Sequence, residues 1–186
     1  MPKYMSMRPR ARVRLSNIVA NWRAMGTLNP GVDVAGVVKA NAYGHGASEV
    51  AVALAEAGCR TFYVAYGFEG MEVRDVVGPD AQILVFNGLT GEDIPLAAKG
   101  DLTPVINTVD ALREWLNTTD GAPYALHVDT GMNRLGVRME DVARVADLAA
   151  DHPPHTLISH LACSDEAPWD MNAAQLSRFN AVAERF

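Results

Sequence analysis

A single lysine, Lys39, closes the apolar run Val34-Ala35-Gly36-Val37-Val38 and is followed at once by Ala40-Asn41-Ala42-Tyr43-Gly44-His45-Gly46. The run is short, rich in β-branched residues and apolar on both faces, as a strand buried in a parallel sheet is. A lysine at the carboxyl end of such a strand stands where α/β folds place their chemistry. Shielding from water disfavours the ammonium and lowers its pKa, which brings the neutral amine needed for Schiff-base chemistry within reach. Taken alone, a lysine snorkelling from a strand end fits the same pattern. Gly44 and Gly46 suit a turn that needs positive φ or a close backbone approach, and His45 reads as a structural residue that holds the turn by a hydrogen bond. Cys59 and Cys163 lie far apart with neither CxxC nor metal spacing, so reduced thiols are expected. His152 and His155 flank Pro153-Pro154, which reads as a turn and not as a metal site.

These groups need a scaffold, and the chain is rhythmic enough to supply one. Strands are expected at 34–39, 61–66, 82–86, 102–106, 124–129 and 156–160. Helices are expected between them at 48–57, 68–76, 91–99, 109–117 and 139–150, with a last helix at 172–186. Pro95 must lie in the first turn of the third of these or end it. Ahead of them, residues 1–10 read as a tail, and Ala11–Leu15 alternates like a half-exposed strand. Ser16 offers an N-cap to a helix whose Ile18, Val19, Trp22 and Met25 share one apolar face, with Trp22 a core residue. Repeated βα units predict a parallel sheet. Periodicity does not decide between an open doubly wound sheet and most of a barrel.

Composition narrows the partners. The 186 residues carry 16 Lys and Arg against 22 Asp and Glu, a net charge of −6, which argues against nucleic acid or an anionic membrane surface. No run approaches the length of a membrane span. The basic start has no apolar stretch behind it, unlike a secretory signal, so a cytoplasmic location is expected.

Val38-Lys39-Ala40-Asn41-Ala42-Tyr43-Gly44-His45-Gly46 resembles the cofactor-lysine signature of the alanine racemases, which use pyridoxal 5'-phosphate. Asp129-Thr130-Gly131-Met132-Asn133-Arg134-Leu135-Gly136-Val137 resembles that family's second motif. Ser159-His160-Leu161-Ala162-Cys163-Ser164-Asp165-Glu166 resembles its third. The resemblance implies a (β/α)8 TIM-type barrel, here reduced to about six βα units, since a full barrel needs ~250 residues. It gives 1–15 as tail and strand and 16–186 as a partial barrel domain, with the family's second, β-rich domain expected to be absent. It further implies that Lys39 is catalytic, and that Lys39, Tyr43, Arg134 and His160 bind the cofactor. Tyr43 would reach the phosphate, Arg134 the phenolic oxygen and the substrate, and His160 the ring. Arg134 paired with Asp129 or Asp165 in a loop network, and His160 as a buried residue satisfied by backbone, fit the residues too. Asp129 and Thr130 are expected to brace the loop carrying Arg134. The activity implied is racemisation of L- and D-alanine for peptidoglycan by a homodimer, with no metal.

Two departures qualify this. Two residues before Asp129, many relatives carry a lysine that becomes carbamylated and braces the arginine; His127 stands there, and imidazole forms no such carbamate. The acid/base tyrosine opposite the lysine and most of the phosphate cup belong, in the family, to chain beyond residue 186. These 186 residues alone are therefore expected to be inactive. A cofactor-binding portion without turnover, a racemase of another amino acid and a barrel-fold decarboxylase are the alternatives.

Overall fold

A computed structural model describes residues 11–28, 30–166 and 168–186; the expected tail at 1–10 lies outside them. Helix α1 (Leu15–Leu28) opens the described chain. Of Ala11–Leu15, expected as a strand, residues 11–14 are irregular and pair with nothing among the described residues, and Leu15 already belongs to α1. Alternation describes a strand only where a neighbouring ladder takes its N–H and C=O groups, and none is at hand.

Seven parallel strands follow: β1 (Gly36–Val37), β2 (Thr61–Val64), β3 (Gln82–Val85), β4 (Leu102–Ile106), β5 (Ala125–Asp129), β6 (Val137–Arg138) and β7 (Thr156–Ile158). Helices α2 (Ala47–Glu56), α3 (Gly67–Val77), α4 (Ile94–Gly100), α5 (Val109–Thr119) and α6 (Val142–Leu148) alternate with them, and α7 (Asp170–Ala183) comes last. Strand order settles the architecture. A doubly wound sheet reverses its order at a switch point, whereas here β1 to β5 pair strictly in sequence and β7 takes the far side of β5. That is the progression of a barrel, left open between β1 and β7 among the described residues.

Side-chain alternation along the strands divides the core in two. Phe62, Val64, Ile83, Val85, Ile106, Leu126 and Val128 face the helices and join Val50, Leu54, Val73, Leu112, Trp115 and Val145 in the main cluster. Leu84, Val105 and Ala125 form a smaller inner cluster, with Tyr63, Phe86 and Ile158 packed on it. Trp22 packs against the main cluster and donates its indole N–H to the Val34 carbonyl at 2.8 Å. Pro95 lies in the first turn of α4, where its missing N–H has no intrahelical partner to lose.

One strand was not expected. β6 pairs Val137 and Arg138 with Val128 and Asp129, where the sequence shows only a loop before a helix. Two residues are too few for an alternation signal. The chain can double back so closely because Gly136 has φ +108°, and a Cβ there would sit 2.8 Å from the Asp129 nitrogen.

Candidate active site

Lys39 lies just past the carboxyl end of β1. The Val38 N–H still donates to the Tyr63 carbonyl at 2.9 Å, and then the backbone changes hand. Ala40, Asn41, Ala42 and Tyr43 all take left-handed helical conformations, with φ between +50° and +54°. Such residues cost roughly 1–2 kcal/mol each when they are not glycine, so the positive φ expected at Gly44 and Gly46 begins four residues earlier than glycine content suggests. Local hydrogen bonds hold the turn. Ala42 N–H donates to the Val38 carbonyl at 2.8 Å and Gly46 N–H to the Asn41 carbonyl at 3.0 Å. The Asn41 side chain accepts from Ala47 N–H at 2.8 Å. His45 Nδ1 lies 2.8 Å from the Ala42 carbonyl and must be the donor there. Ala40 N–H, at the start of the turn, donates to Glu69 Oε1 at 2.7 Å.

The turn brings Lys39, half-buried, to a cavity of about 390 Å3 at the carboxyl ends of the strands, also lined by Tyr43, Phe86, His127, Arg134 and His160. Its volume lies within the range of small-molecule sites, about 300–1,000 Å3. The Lys39 amine is 5.5 Å from the centre of the Phe86 ring and 6.0 Å from that of Tyr43. Phe86 in turn stacks on Tyr63 at 4.7 Å, giving the cavity an aromatic floor. Among the described residues, the lining holds lysine, arginine and two histidines but no carboxylate. A wider groove of about 770 Å3 on the other side of the Arg134 loop shares Arg134 with this cavity but lacks the lysine.

Arg134 rides on a loop braced by Asp129, whose Oδ1 accepts from the N–H groups of Gly131, Met132 and Asn133 at 2.8–3.0 Å. Burial raises that carboxyl's pKa, but the three donors outweigh it and leave it below the ordinary range. Among the described residues Arg134 forms no ion pair, so the pairing with Asp129 or Asp165 is not formed. Thr130 is buried and joins a closed network. Ser159 donates its hydroxyl to the Val128 carbonyl at 2.9 Å, so Thr130 must donate to Ser159 across 2.7 Å. Thr130 accepts from Gln175 Nε2 at 3.0 Å; Gln175 also donates to the His160 carbonyl at 2.9 Å and accepts from Ala162 N–H at 2.9 Å.

His160 is exposed at the rim, and among the described residues its ring makes no hydrogen bond to backbone. Burial, followed by the Arg134 and Lys39 charges, lowers its pKa. His127 lies deeper. Asn107 directs its amide at the carbonyls of Phe86 (2.8 Å) and Val105 (3.0 Å), which leaves its oxygen to accept from His127 Nδ1 at 2.8 Å. Burial lowers the His127 pKa most, Asp129 opposes this, and His160 and Arg134 lower it further. A neutral imidazole results, with its proton on Nδ1. The sequence reading missed Phe86, Asn107, Glu69 and Gln175. Phe86 and Asn107 stand at the ends of expected strands, a positional signal that was there to use; Glu69 and Gln175 resemble ordinary helix-surface residues.

Comparison with known proteins bears on this geometry. A family model for the N-terminal domain of alanine racemase matches residues 13–186. An alanine racemase of Cereibacter sphaeroides is 43% identical over 173 residues, covering 92% of this chain and 50% of that protein. One of Rhodospirillum rubrum is 44% identical, covering 94% and 49%. Among solved structures, alanine racemase from Bartonella henselae with covalently bound pyridoxal phosphate superposes with TM-score 0.88 at 29% identity, over 94% of this chain and 53% of that one. The biosynthetic enzyme of Pseudomonas aeruginosa gives TM-score 0.81 at 34% identity, over 92% and 49%. The chain spans about half the length of the curated relatives it matches.

Proposed function

This chain belongs to the alanine racemase family through its N-terminal domain, and from that premise we propose that it is the cofactor-lysine portion of a pyridoxal 5'-phosphate-dependent alanine racemase. The observation that carries the reading is the cavity around Lys39: a half-buried amine at a strand end, in a lining with several cationic or basic groups and no carboxylate among the described residues. That donor set fits an anionic, phosphate-bearing aromatic aldehyde. Bound there, the cofactor supplies an electron sink that acidifies the hydrogen on the substrate's α-carbon.

The chain's own groups have distinct tasks. Lys39 would hold the cofactor and would take or return the α-proton on one face of the substrate. Tyr43 would offer a hydroxyl to the phosphate. Arg134, a fixed fork with no ion-pair partner among the described residues, would offer donors to the cofactor and the substrate carboxylate. His160 would help hold the cofactor. Racemisation also needs an acid/base group on the opposite face. We assign that group to chain outside these residues, supplied by the other subunit of a homodimer, as the family resemblance implies. The product, D-alanine, serves peptidoglycan synthesis in the cytoplasm. The test is borohydride reduction of the protein with pyridoxal phosphate, followed by peptide mapping. Label on Lys39 alone is expected, whereas label on Lys3 or Lys99 only, or on no lysine, refutes the assignment.

A further inference from the structure

We propose that Glu69, on the first turn of α3, is the positioning residue that aims Lys39; the proposal rests on the function assigned to Lys39 above. The carboxylate is half-buried and serves three backbone donors. Its Oε2 accepts from Ala65 N–H at 2.7 Å and Tyr66 N–H at 3.1 Å, where β2 passes into α3. Its Oε1 accepts from Ala40 N–H at 2.7 Å, 29 residues away in sequence.

The effect on Lys39 follows from what lies on either side of it. The chain is tied to β2 one residue before Lys39, through the Val38 N–H and the Tyr63 carbonyl. The peptide after Lys39 is tied to the end of the same strand through the Ala40 N–H and Glu69. Lys39 Cα is therefore held between two hydrogen bonds that share one anchor. Ala40 N–H stands in the first turn of its segment, where no intrahelical carbonyl can accept it, so without Glu69 the donor loses its partner and the turn loses its tether to β2. A lysine side chain has four rotatable bonds, and fixing its Cα–Cβ direction selects the rotamers that place the amine in the cavity.

Glu69→Gln separates this role from helix capping. Glutamine serves at the third helical position as well as glutamate does, so its carbonyl keeps the Ala65 and Tyr66 donors. Its NH2 group then faces Ala40 N–H, donor against donor. Made in the full chain as its source produces it, the variant should keep its far-UV circular dichroism and nearly its Tm. Ala40 should exchange its amide hydrogen roughly 10- to 100-fold faster, the loss expected for a hydrogen bond to a charged group. Reductive trapping of pyridoxal phosphate at Lys39 should slow in the folded fraction, and the visible circular dichroism of the bound cofactor should weaken. A merely structural loss would lower Tm without slowing the trapping at Lys39 in the folded fraction.

Unchanged Ala40 exchange, or changed exchange with Lys39 trapped at the wild-type rate, overturns the proposal. If Glu69→Gln does not fold, the wild-type protein decides: slowed exchange at Ala40 supports the tether, and exchange at the rate of an open peptide overturns it. A wild-type protein that is never trapped at Lys39 refutes the assigned function instead, while Ala40 exchange still reads the tether.

Discussion

At the scale of single residues, His127 stands where the family resemblance leads one to expect a carbamylated lysine. A carbamate would place negative charge near Arg134, whereas a neutral imidazole bonded to Asn107 offers only a lone pair on Nε2. Its pKa is lowered by burial, so the unfolded chain binds this proton more readily than the folded one. The same sign holds for His160, although its exposure to solvent makes its share smaller. Stability from these groups is therefore complete above the ordinary histidine value of 6.5 and is lost as pH falls below it and through the lowered folded values. His127→Asn keeps a donor for Asn107 but cannot titrate. Urea midpoints measured across roughly pH 5 to 7 should fall less steeply for this variant than for wild type. His127→Leu leaves the Asn107 oxygen without its donor and should cost about 1–3 kcal/mol at neutral pH; equal behaviour of the two variants counts against this account. Lys39 was legible as a lysine at a strand end, Tyr43, Arg134 and His160 through the family resemblance, and the fold brings all four to one cavity. Asn107 and Glu69 were not, because a pattern of strand and helix ends does not say which distant backbone group a side chain will meet.

At the scale of elements, α7 acts as a buttress. Gln175, fully buried, links the loop after β5 to the loop after β7, and Arg178 adds a bond of 2.6 Å to the Thr130 carbonyl. One helix thus sets the spacing between the Arg134 and His160 loops. Gln175→Leu matches the volume but leaves Ala162 N–H and the His160 carbonyl without this partner. A loss of about 2–4 kcal/mol in urea unfolding is expected, with faster amide exchange at Ala162. Gln175→Glu keeps the acceptor but loses both donors, and should protect Ala162 while still freeing the His160 carbonyl. A last helix was legible at 172–186 and runs over Asp170–Ala183. Its buried amide was not legible, since a glutamine in mid-helix reads as surface. The left-handed turn at 40–43 was hidden for a related reason: its conformation comes from tertiary hydrogen bonds, and no local propensity favours it.

At the scale of the whole molecule, the succession of βα units was plain in the sequence, and the choice of a barrel rested on resemblance until the strand order was known. Short β6 fell below what alternation can report, while alternation at 11–15 signalled a strand that has no neighbouring ladder among the described residues. Among the described residues β1 and β7 each have one unpaired edge, and apolar groups are exposed near β1, Val37 among them. Such edges invite association. Made alone, residues 1–186 should sediment as oligomers or precipitate. With pyridoxal phosphate they should exchange the α-hydrogen of alanine without inverting it at an enzymatic rate, because the loss of a positioned acid/base group costs about 10²–10⁴-fold. Monomers that interconvert the enantiomers at the rate of a full-length relative would falsify that expectation. Strand order carries a further consequence, for synthesis. From β1 to β5, each strand pairs with one already made, so every βα unit can dock on its predecessor as it leaves the ribosome. The ladder grows from the amino-terminal end, with short loop closures at each step. Only the joining of a closing strand to β1 spans the whole barrel. The nascent chain therefore carries β1 as an open edge from its first moments, and the Lys39 turn beside that edge is assembled long before the site around it is complete.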